Sequence, residues 1–213
     1  FGTGSTCGCG VGGDATATLA TIGYTEEQAG RIREGANLGL GCGNPLAHAA
    51  PRLGETVLDL GSGAGIDAFL ASPEVGAQGR VTAIDLDARF LRALEHPNLQ
   101  ISEANIVALD LPVGAFDLVH ARWTLMHIPE RELVLRKLVG ALAPGGTLFL
   151  EEPDVLPVVT IDRSGWHDLS LRIFEIVAQR GSKSDWARDL PHALAPLGLG
   201  AVRAEAEFTY FPG

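Results

Sequence analysis

Between Thr56 and Glu151 the chain alternates between two hydrophobic patterns. Short apolar runs at Val57–Leu60, Arg80–Ile84, Leu99–Ser102, Phe116–Ala121 and Thr147–Glu151 have the length and composition of buried strands. Helical spacing lies between them. Leu135, Leu138, Val139 and Leu142 recur at i, i+3, i+4 and i+7, which predicts one buried helix face. Pro129 suits the first turn of that helix, and Ala143-Pro144-Gly145-Gly146 stops it. A helix begins over Asp67–Ala71, and a short one is predicted over Ala88–Glu95. Further on, Trp166, Leu169, Ile173, Ile176 and Val177 mark an amphipathic helix ended by Gly181. A second helix over Pro191–Leu197 and a last strand over Ala201–Phe211 complete the pattern.

Strands and helices in alternation predict an α/β fold, a doubly wound and mostly parallel sheet with helices on both faces. Residues 1–50 break the pattern. They are rich in Gly, Ala and Thr and read as an arm packed on the domain formed by residues 51–213. Within the arm, Thr25 and Gln28 make a capping-box pattern ahead of Ala29, Ile32 and Arg33, with Gly35 as the stop. The glycine-rich run from Asn37 to Pro45 suits close approach of backbone to another group. The helices between about 160 and 198 read as a lid-like insertion after the fifth strand. The first residue is Phe1 rather than Met, which leads us to expect residues upstream.

Composition narrows the function. With 46% apolar and 20% charged residues, the chain is of ordinary globular type, and no apolar run has membrane-spanning length. The net charge of −10 and 16 scattered basic residues argue against nucleic acid as a partner. The three cysteines, Cys7, Cys9 and Cys42, are odd in number and clustered, which is no disulfide framework and suggests the cytoplasm. They are either small buried thiols or a thiophilic site in which Cys-x-Cys and a third thiolate hold a soft ion. No histidine stands at zinc-finger spacing, and no resident metal is expected.

The most informative stretch is Val57 to Asp67, VLDLGSGAGID. An apolar strand breaks into Gly61, Ser62, Gly63, Ala64 and Gly65 before a helix start. Ligands of open α/β sheets bind at such a place. A dinucleotide turn needs a third glycine at the sixth position, where this chain has Ile66, so a nicotinamide oxidoreductase is disfavoured. No Gly-Lys-Ser/Thr follows, which excludes a phosphate loop. Asp85 ends the second strand and can accept both hydroxyls of a ribose. Asn105 follows the third strand and can read an adenine edge. Asp59 can meet an ammonium group, and the turn's N–H groups suit a carboxylate. An amine, a carboxylate, a ribose and an adenine without phosphate describe S-adenosylmethionine. The plainer reading of Asp59 and Asp85 is that each satisfies local backbone groups.

Over residues 37–155 the chain resembles the class I S-adenosylmethionine-dependent methyltransferases. The motifs are VLDLGSGAGID, VTAIDLD, SEANIVALDLP, FDLVHARWTLMHIP and LAPGGTLFLEEPD. The resemblance implies a Rossmann-like methyltransferase fold. It implies that Gly61 and Gly63, with Ser62 between them, meet the methionine part, that Asp85 holds the ribose and that Leu86 packs on the adenine. Asn105, where the family more often has Asp, would take the adenine amino group with the Ile106 backbone, and Ala121 would line the sulfonium side. This fold commonly ends in a hairpin of two strands. Only one is visible here, so either the chain is cut at its end or a second copy supplies the edge, as in a homodimer.

Residues 1–85 resemble the arsenite methyltransferases, which hold trivalent arsenic with thiolates. EGANLGLGCGNP matches their Gly-Cys-Gly segment at Cys42, and Cys7 and Cys9 stand for their upstream cysteines. That family has a further cysteine after the fourth strand, where this chain has Trp123, and another near its end, where this chain has none. From Leu86 onward the chain resembles methyltransferases of small organic molecules instead. The leading expectation is methyl transfer to a small-molecule acceptor of secondary-metabolite type. Arsenite is the alternative, and a non-catalytic cofactor-binding subunit is a reading of another class.

Side chains that can take part in transfer lie near the strand ends: His120, Arg122, His127, Glu151 and Glu152, with Cys42 added under the arsenite reading. His127 reads more readily as a packed residue at a helix start, and Glu152 as either a pocket acid or a solvated one. Tyr24 and Trp123 can form an aromatic wall or simply core. The neighbourhood of Trp166, Phe174 and Trp186 offers either an apolar ligand site or ordinary packing.

Overall fold

The computed structural model describes residues 24–32, 44–94, 96–155 and 166–206. Five parallel strands form one sheet: β1 (Thr56–Leu60), β2 (Arg80–Asp85), β3 (Leu99–Glu103), β4 (Phe116–Arg122) and β5 (Leu142–Glu151). Their order is β3-β2-β1-β4-β5. The order reverses between β1 and β4, and that crevice is where a doubly wound sheet places its ligand. The helices are α1 (Glu26–Arg31), α2 (Pro45–Ala49), α3 (Ile66–Val75), α4 (Arg131–Ala141), α5 (Trp166–Gln179) and α6 (Trp186–Leu194).

Alternation along the strands splits the core into two layers. Leu58 and Leu60 of β1 join Val119 and Ala121 of β4 under α4, with Val134, Leu135 and Leu138 facing them. Val57, Val81, Ala83 and Leu118 point the other way, onto Ala68, Ala71 and Val75 of α3. Burying a side chain such as Leu58 or Leu138, both fully enclosed, contributes roughly 1.5–3 kcal/mol. Tyr24 and Leu46 of the arm pack on Leu70 and Ile66 of α3. Residues 1–23 and 33–43 of the arm expected over residues 1–50, with Cys7, Cys9 and Cys42, lie outside the described residues.

Local departures from the expected pattern have local causes. The capping box of α1 is present, with Thr25 Oγ1 accepting the Gln28 N–H at 3.1 Å and Gln28 Oε1 accepting the Thr25 N–H at 3.0 Å. The helix ends at Arg31 because Ile32 turns extended, and Gly35 lies outside the described residues. The helix expected over Ala88–Glu95 is only a 3-10 turn at Leu91–Ala93. Leu94 leaves it in an extended conformation two residues ahead of the His96-Pro97 step. Pro129 precedes the N-cap Glu130 of α4 instead of opening the helix. The buried face of α4 is Val134, Leu135, Leu138 and Ala141, so Val139 is only half-buried.

The fifth strand starts at Leu142, since Phe116 pairs with Leu142 and Leu118 with Thr147; the Ala-Pro-Gly-Gly run bulges out between. Helix α6 starts ahead of Pro191, anchored by Trp186, which is buried in the α4 layer as core packing. Residues 201–206, expected to begin the last strand, are exposed and unpaired with the sheet, and 207–213 lie outside the described residues. Among the described residues β5 is therefore an edge.

Candidate active site at the carboxyl edge of the sheet

The turn after β1 is shaped by its contacts with the chain that leaves β4. Gly61 has φ +71°, and a Cβ there would lie 2.1 Å from Thr124 Oγ1. That hydroxyl reaches the carbonyls of Leu60 at 3.1 Å and Arg122 at 2.9 Å, tying the two strand ends together. Gly63 also has positive φ, +57°, but the space where its Cβ would stand is open. Its N–H donates to Asp85 Oδ2 at 2.8 Å, and Ser62 Oγ donates to the Asp59 carbonyl at 2.8 Å. We expect Gly61→Ala to destabilise the fold by about 2 kcal/mol, from left-handed strain and overpacking against Thr124. Urea denaturation measures this, and an unchanged midpoint would mean that Thr124 swings aside freely.

At the end of β2, Asp85 faces this turn, and its second oxygen accepts the Asp87 N–H at 2.9 Å. Leu86 beside it is 72% exposed, an uncovered apolar side chain at the mouth of the crevice. Asn105 follows β3, is exposed, and accepts the Val107 N–H at 2.9 Å through its side-chain oxygen. Ile106 is buried. The Lys137 ammonium of α4 holds this loop from below, donating to the carbonyls of Ile106 at 3.3 Å, Val107 at 2.7 Å and Leu109 at 2.8 Å. The methyl of Ala121 is fully buried in the α4 layer, so any lining role at that position falls to backbone.

Beneath the turn, on the α3 side of the sheet, lies a buried cluster of ionisable groups. Asp59 Oδ1 and His120 Nδ1 are 2.8 Å apart, each side chain 4% exposed. Burial alone pushes the His120 imidazole down, but the hydrogen bond and charge of Asp59 outweigh it, and its pKa stands above the ordinary value. The ring stacks on Phe149, whose other neighbour is His48 of α2. Arg122 Nη2 pairs with Asp67 Oδ2 at 2.7 Å, and the Tyr24 hydroxyl donates to Asp67 Oδ1 at 2.8 Å. Burial, with the Asp67 charge behind it, pushes the Tyr24 phenol far up. Burial likewise raises Glu151 against the pull of Arg122. Tyr24 is thus neither a loose aromatic wall nor plain core; it anchors the arm.

The remaining candidates are held elsewhere. Glu152 is neither solvated nor free to face a pocket. Its carboxylate accepts the N–H groups of Thr124 at 3.1 Å, Leu125 at 2.8 Å and Met126 at 3.1 Å, and so caps the 3-10 turn at Leu125–His127. Burial raises its pKa although these three donors work the other way. Glu152→Gln should cost about 1–2 kcal/mol in thermal unfolding, because an amide replaces a charge-assisted acceptor. An unchanged melting temperature would show that the cap adds nothing. His127 lies exposed at the end of that turn, Nδ1 3.4 Å from Ser182 Oγ, with its pKa lowered by partial burial. Trp123 has φ +51°, an uncommon conformation for so large a side chain, where the chain leaves β4.

Lys137, Thr124 and Asp67 are the residues sequence reasoning missed. Each looks like an ordinary surface or helix residue in the sequence, and only its distant partner gives it a role. A weak signal existed for Asp67: an acid at the second position of a helix otherwise starting on apolar residues.

Residues 58–150 match the family model described as "Methyltransferase domain". An arsenite methyltransferase of Halobacterium salinarum is 36% identical over 138 residues, 62% of this chain and 35% of that protein. A ubiquinone biosynthesis O-methyltransferase of Albidiferax ferrireducens is 40% identical over 119 residues, 50% of this chain and 46% of that protein. The chain therefore spans less than half the length of either relative. A SAM-dependent methyltransferase from Aquifex aeolicus shares the fold at a TM-score of 0.55 and 22% identity, over 75% of this chain and 81% of that one. The matched domain, the glycine turn facing Asp85 and the β3-β2-β1-β4-β5 sheet agree in supporting a methyltransferase domain of the class I S-adenosylmethionine-dependent type over residues 58–150.

Proposed function

We propose that the chain transfers the methyl group of S-adenosylmethionine to a small-molecule acceptor of secondary-metabolite type. The observation that carries this is the Asp85 carboxylate facing the Gly61–Gly65 turn at the strand-order reversal, with Gly63 open above it. The donor set fits the cofactor. Asp59 Oδ2 is buried without a hydrogen-bond partner, as an acceptor awaiting an ammonium group would be. In this reading Asp85 takes the ribose, Leu86 the adenine face, Asn105 and the Ile106 backbone the adenine edge, and the Gly61-Ser62-Gly63 backbone the methionine carboxylate.

The cofactor supplies an electrophilic methyl on sulfur. The protein's share is to align the acceptor for in-line attack and to exclude water. The Glu152 carboxylate is committed to its cap, which leaves the more exposed His127 beside Ser182 as the freer of the two candidate bases. Helices α5 and α6 frame the acceptor side as a lid-like insertion, and the described part of the arm packs on α3 through Tyr24, Ala29, Ile32 and Leu46. Net charge of −10 supports a small acceptor over nucleic acid. We place the activity in the cytoplasm, without a membrane; among the described residues no helix is long and apolar enough to cross one. A homodimer would cover the edge at β5.

A second reading, arsenite methylation, has specific support in Cys7, Cys9 and Cys42 together with the arsenite methyltransferase relative. Mass spectrometry with methyl-labelled S-adenosylmethionine, arsenite and a reducing thiol separates the two. Labelled methylarsenic would establish the thiol site and overturn the organic-acceptor reading. Label appearing only on small organic phenols or amines would support it. Cofactor binding without turnover of any acceptor would identify a non-catalytic subunit.

A further inference from the structure

We propose that His120 is the resident counter-ion of Asp59, and that an ammonium group arriving at Asp59 displaces the His120 proton, so that cofactor binding and proton release are one event. This rests on the reading that the turn holds S-adenosylmethionine. The geometry points to it in three steps.

Asp59 stands near the end of β1, in register with Ala83 of β2 and His120 of β4, its side chain 4% exposed. A carboxylate so enclosed requires a compensating charge. His120 supplies it at 2.8 Å, while the Arg122 guanidinium two residues on is paired with Asp67.

Each partner also has one unused atom. Asp59 Oδ2 and His120 Nε2 are buried and without hydrogen-bond partners. A carboxylate oxygen with open lone pairs takes a cation's N–H readily, whereas a buried Nε2–H with no acceptor gains nothing from keeping its proton.

The third step is charge balance. With an imidazolium on Oδ1, a second cation at Oδ2 would meet a like charge only a few ångströms away. Loss of the proton from Nε2 to solvent removes that repulsion. The neutral ring still donates Nδ1–H to Oδ1, so the carboxylate keeps its orientation. One ammonium enters, one proton leaves, and the charge of the buried site is unchanged.

The surrounding groups set the starting state. Asp67 from α3 favours the imidazolium and Arg122 from β4 opposes it, while Glu151 from β5 has its ionisation held back by burial. His48 and Phe149 complete the stack beside the ring, and Tyr24 holds Asp67 from the arm. Because the folded-state pKa of His120 is raised, the pair stabilises the free protein fully below about pH 6.5 and loses that contribution as pH rises through the raised value.

The test is titration calorimetry of the intact chain with S-adenosylhomocysteine near pH 7, in two buffers of different ionisation enthalpy. 5′-Methylthioadenosine, which lacks the amino-acid part, is the control. We expect S-adenosylhomocysteine to release up to about one proton and its affinity to rise by up to about tenfold per pH unit where His120 is charged. Methylthioadenosine should release none. His120→Gln, which keeps an N–H donor for Asp59 but no titrating proton, should bind with no release and no such pH slope. A merely structural role for His120 would leave the release intact in that variant.

Binding of S-adenosylhomocysteine without release, or with the same release as methylthioadenosine, overturns the proposal and leaves the functional reading standing. Failure of both ligands to bind overturns both. If His120→Gln does not fold, the comparison of the two ligands on the unaltered chain decides.

Discussion

Asp85→Ala is expected to weaken S-adenosylhomocysteine binding by about 100-fold, close to 3 kcal/mol, with little loss of fold stability. Each oxygen of Asp85 accepts one backbone N–H, from Gly63 and from Asp87. Each therefore retains a lone pair for a ligand hydroxyl, and two charge-assisted hydrogen bonds would be lost together. The Gly63 N–H would lose the acceptor that draws the turn toward β2. The side chain is only partly buried, so its removal opens no core cavity. Asp85→Asn separates the two contributions. It keeps an oxygen for one partner but presents an NH2 group to another donor, so it should fall between the unaltered chain and the alanine variant. Calorimetry reads the affinity, and a melting curve on the same sample reads the fold. If Asp85→Ala bound the ligand within fivefold of the unaltered chain, the ribose would sit elsewhere, and the assignment of this edge as the cofactor site would fail with it.

What could be read in advance was what is local in sequence. The glycine turn, the acid ending β2 and the asparagine after β3 each announce themselves within a few residues, because strand, turn and helix chemistry act over that range. The capping box of α1 was legible for the same reason. The roles that stayed hidden depend on partners far along the chain. His120 meets Asp59 across 61 positions, and Tyr24 meets Asp67 across 43. Lys137 reads as a solvated charge on α4 until the carbonyls of Ile106, Val107 and Leu109 are placed beneath it. Glu152 had equal claims as a pocket acid and a surface acid, and became a cap because β5 ends beside the turn that follows β4. Periodicity alone also misplaced one helix face: Val139 was chosen by spacing, but α4 starts later than Pro129 suggested, and Val134 turns inward instead.

Arg122→Met is expected to destabilise the fold by about 3–5 kcal/mol, measured by urea denaturation. The Arg122 and Asp67 side chains are 11% and 7% exposed, so water screens the pair little. Methionine replaces most of the aliphatic stem, and the effect reads the lost charge more than lost volume. What remains is a buried Asp67 carboxylate whose hydrogen bond, among the described residues, comes from the Tyr24 hydroxyl. Adding Asp67→Leu to Arg122→Met should restore much of the stability, since an apolar pair of similar volume replaces a buried ion pair without loss in many cores. The double variant also removes the Tyr24–Asp67 hydrogen bond and leaves Tyr24 on α3 by apolar packing with Leu70, so the arm helix should become more open to proteolysis near Glu26 even where global stability has recovered. A midpoint for Arg122→Met within 1 kcal/mol of the unaltered chain would mean that water reaches Asp67 and that the ion pair adds little to the buried cluster.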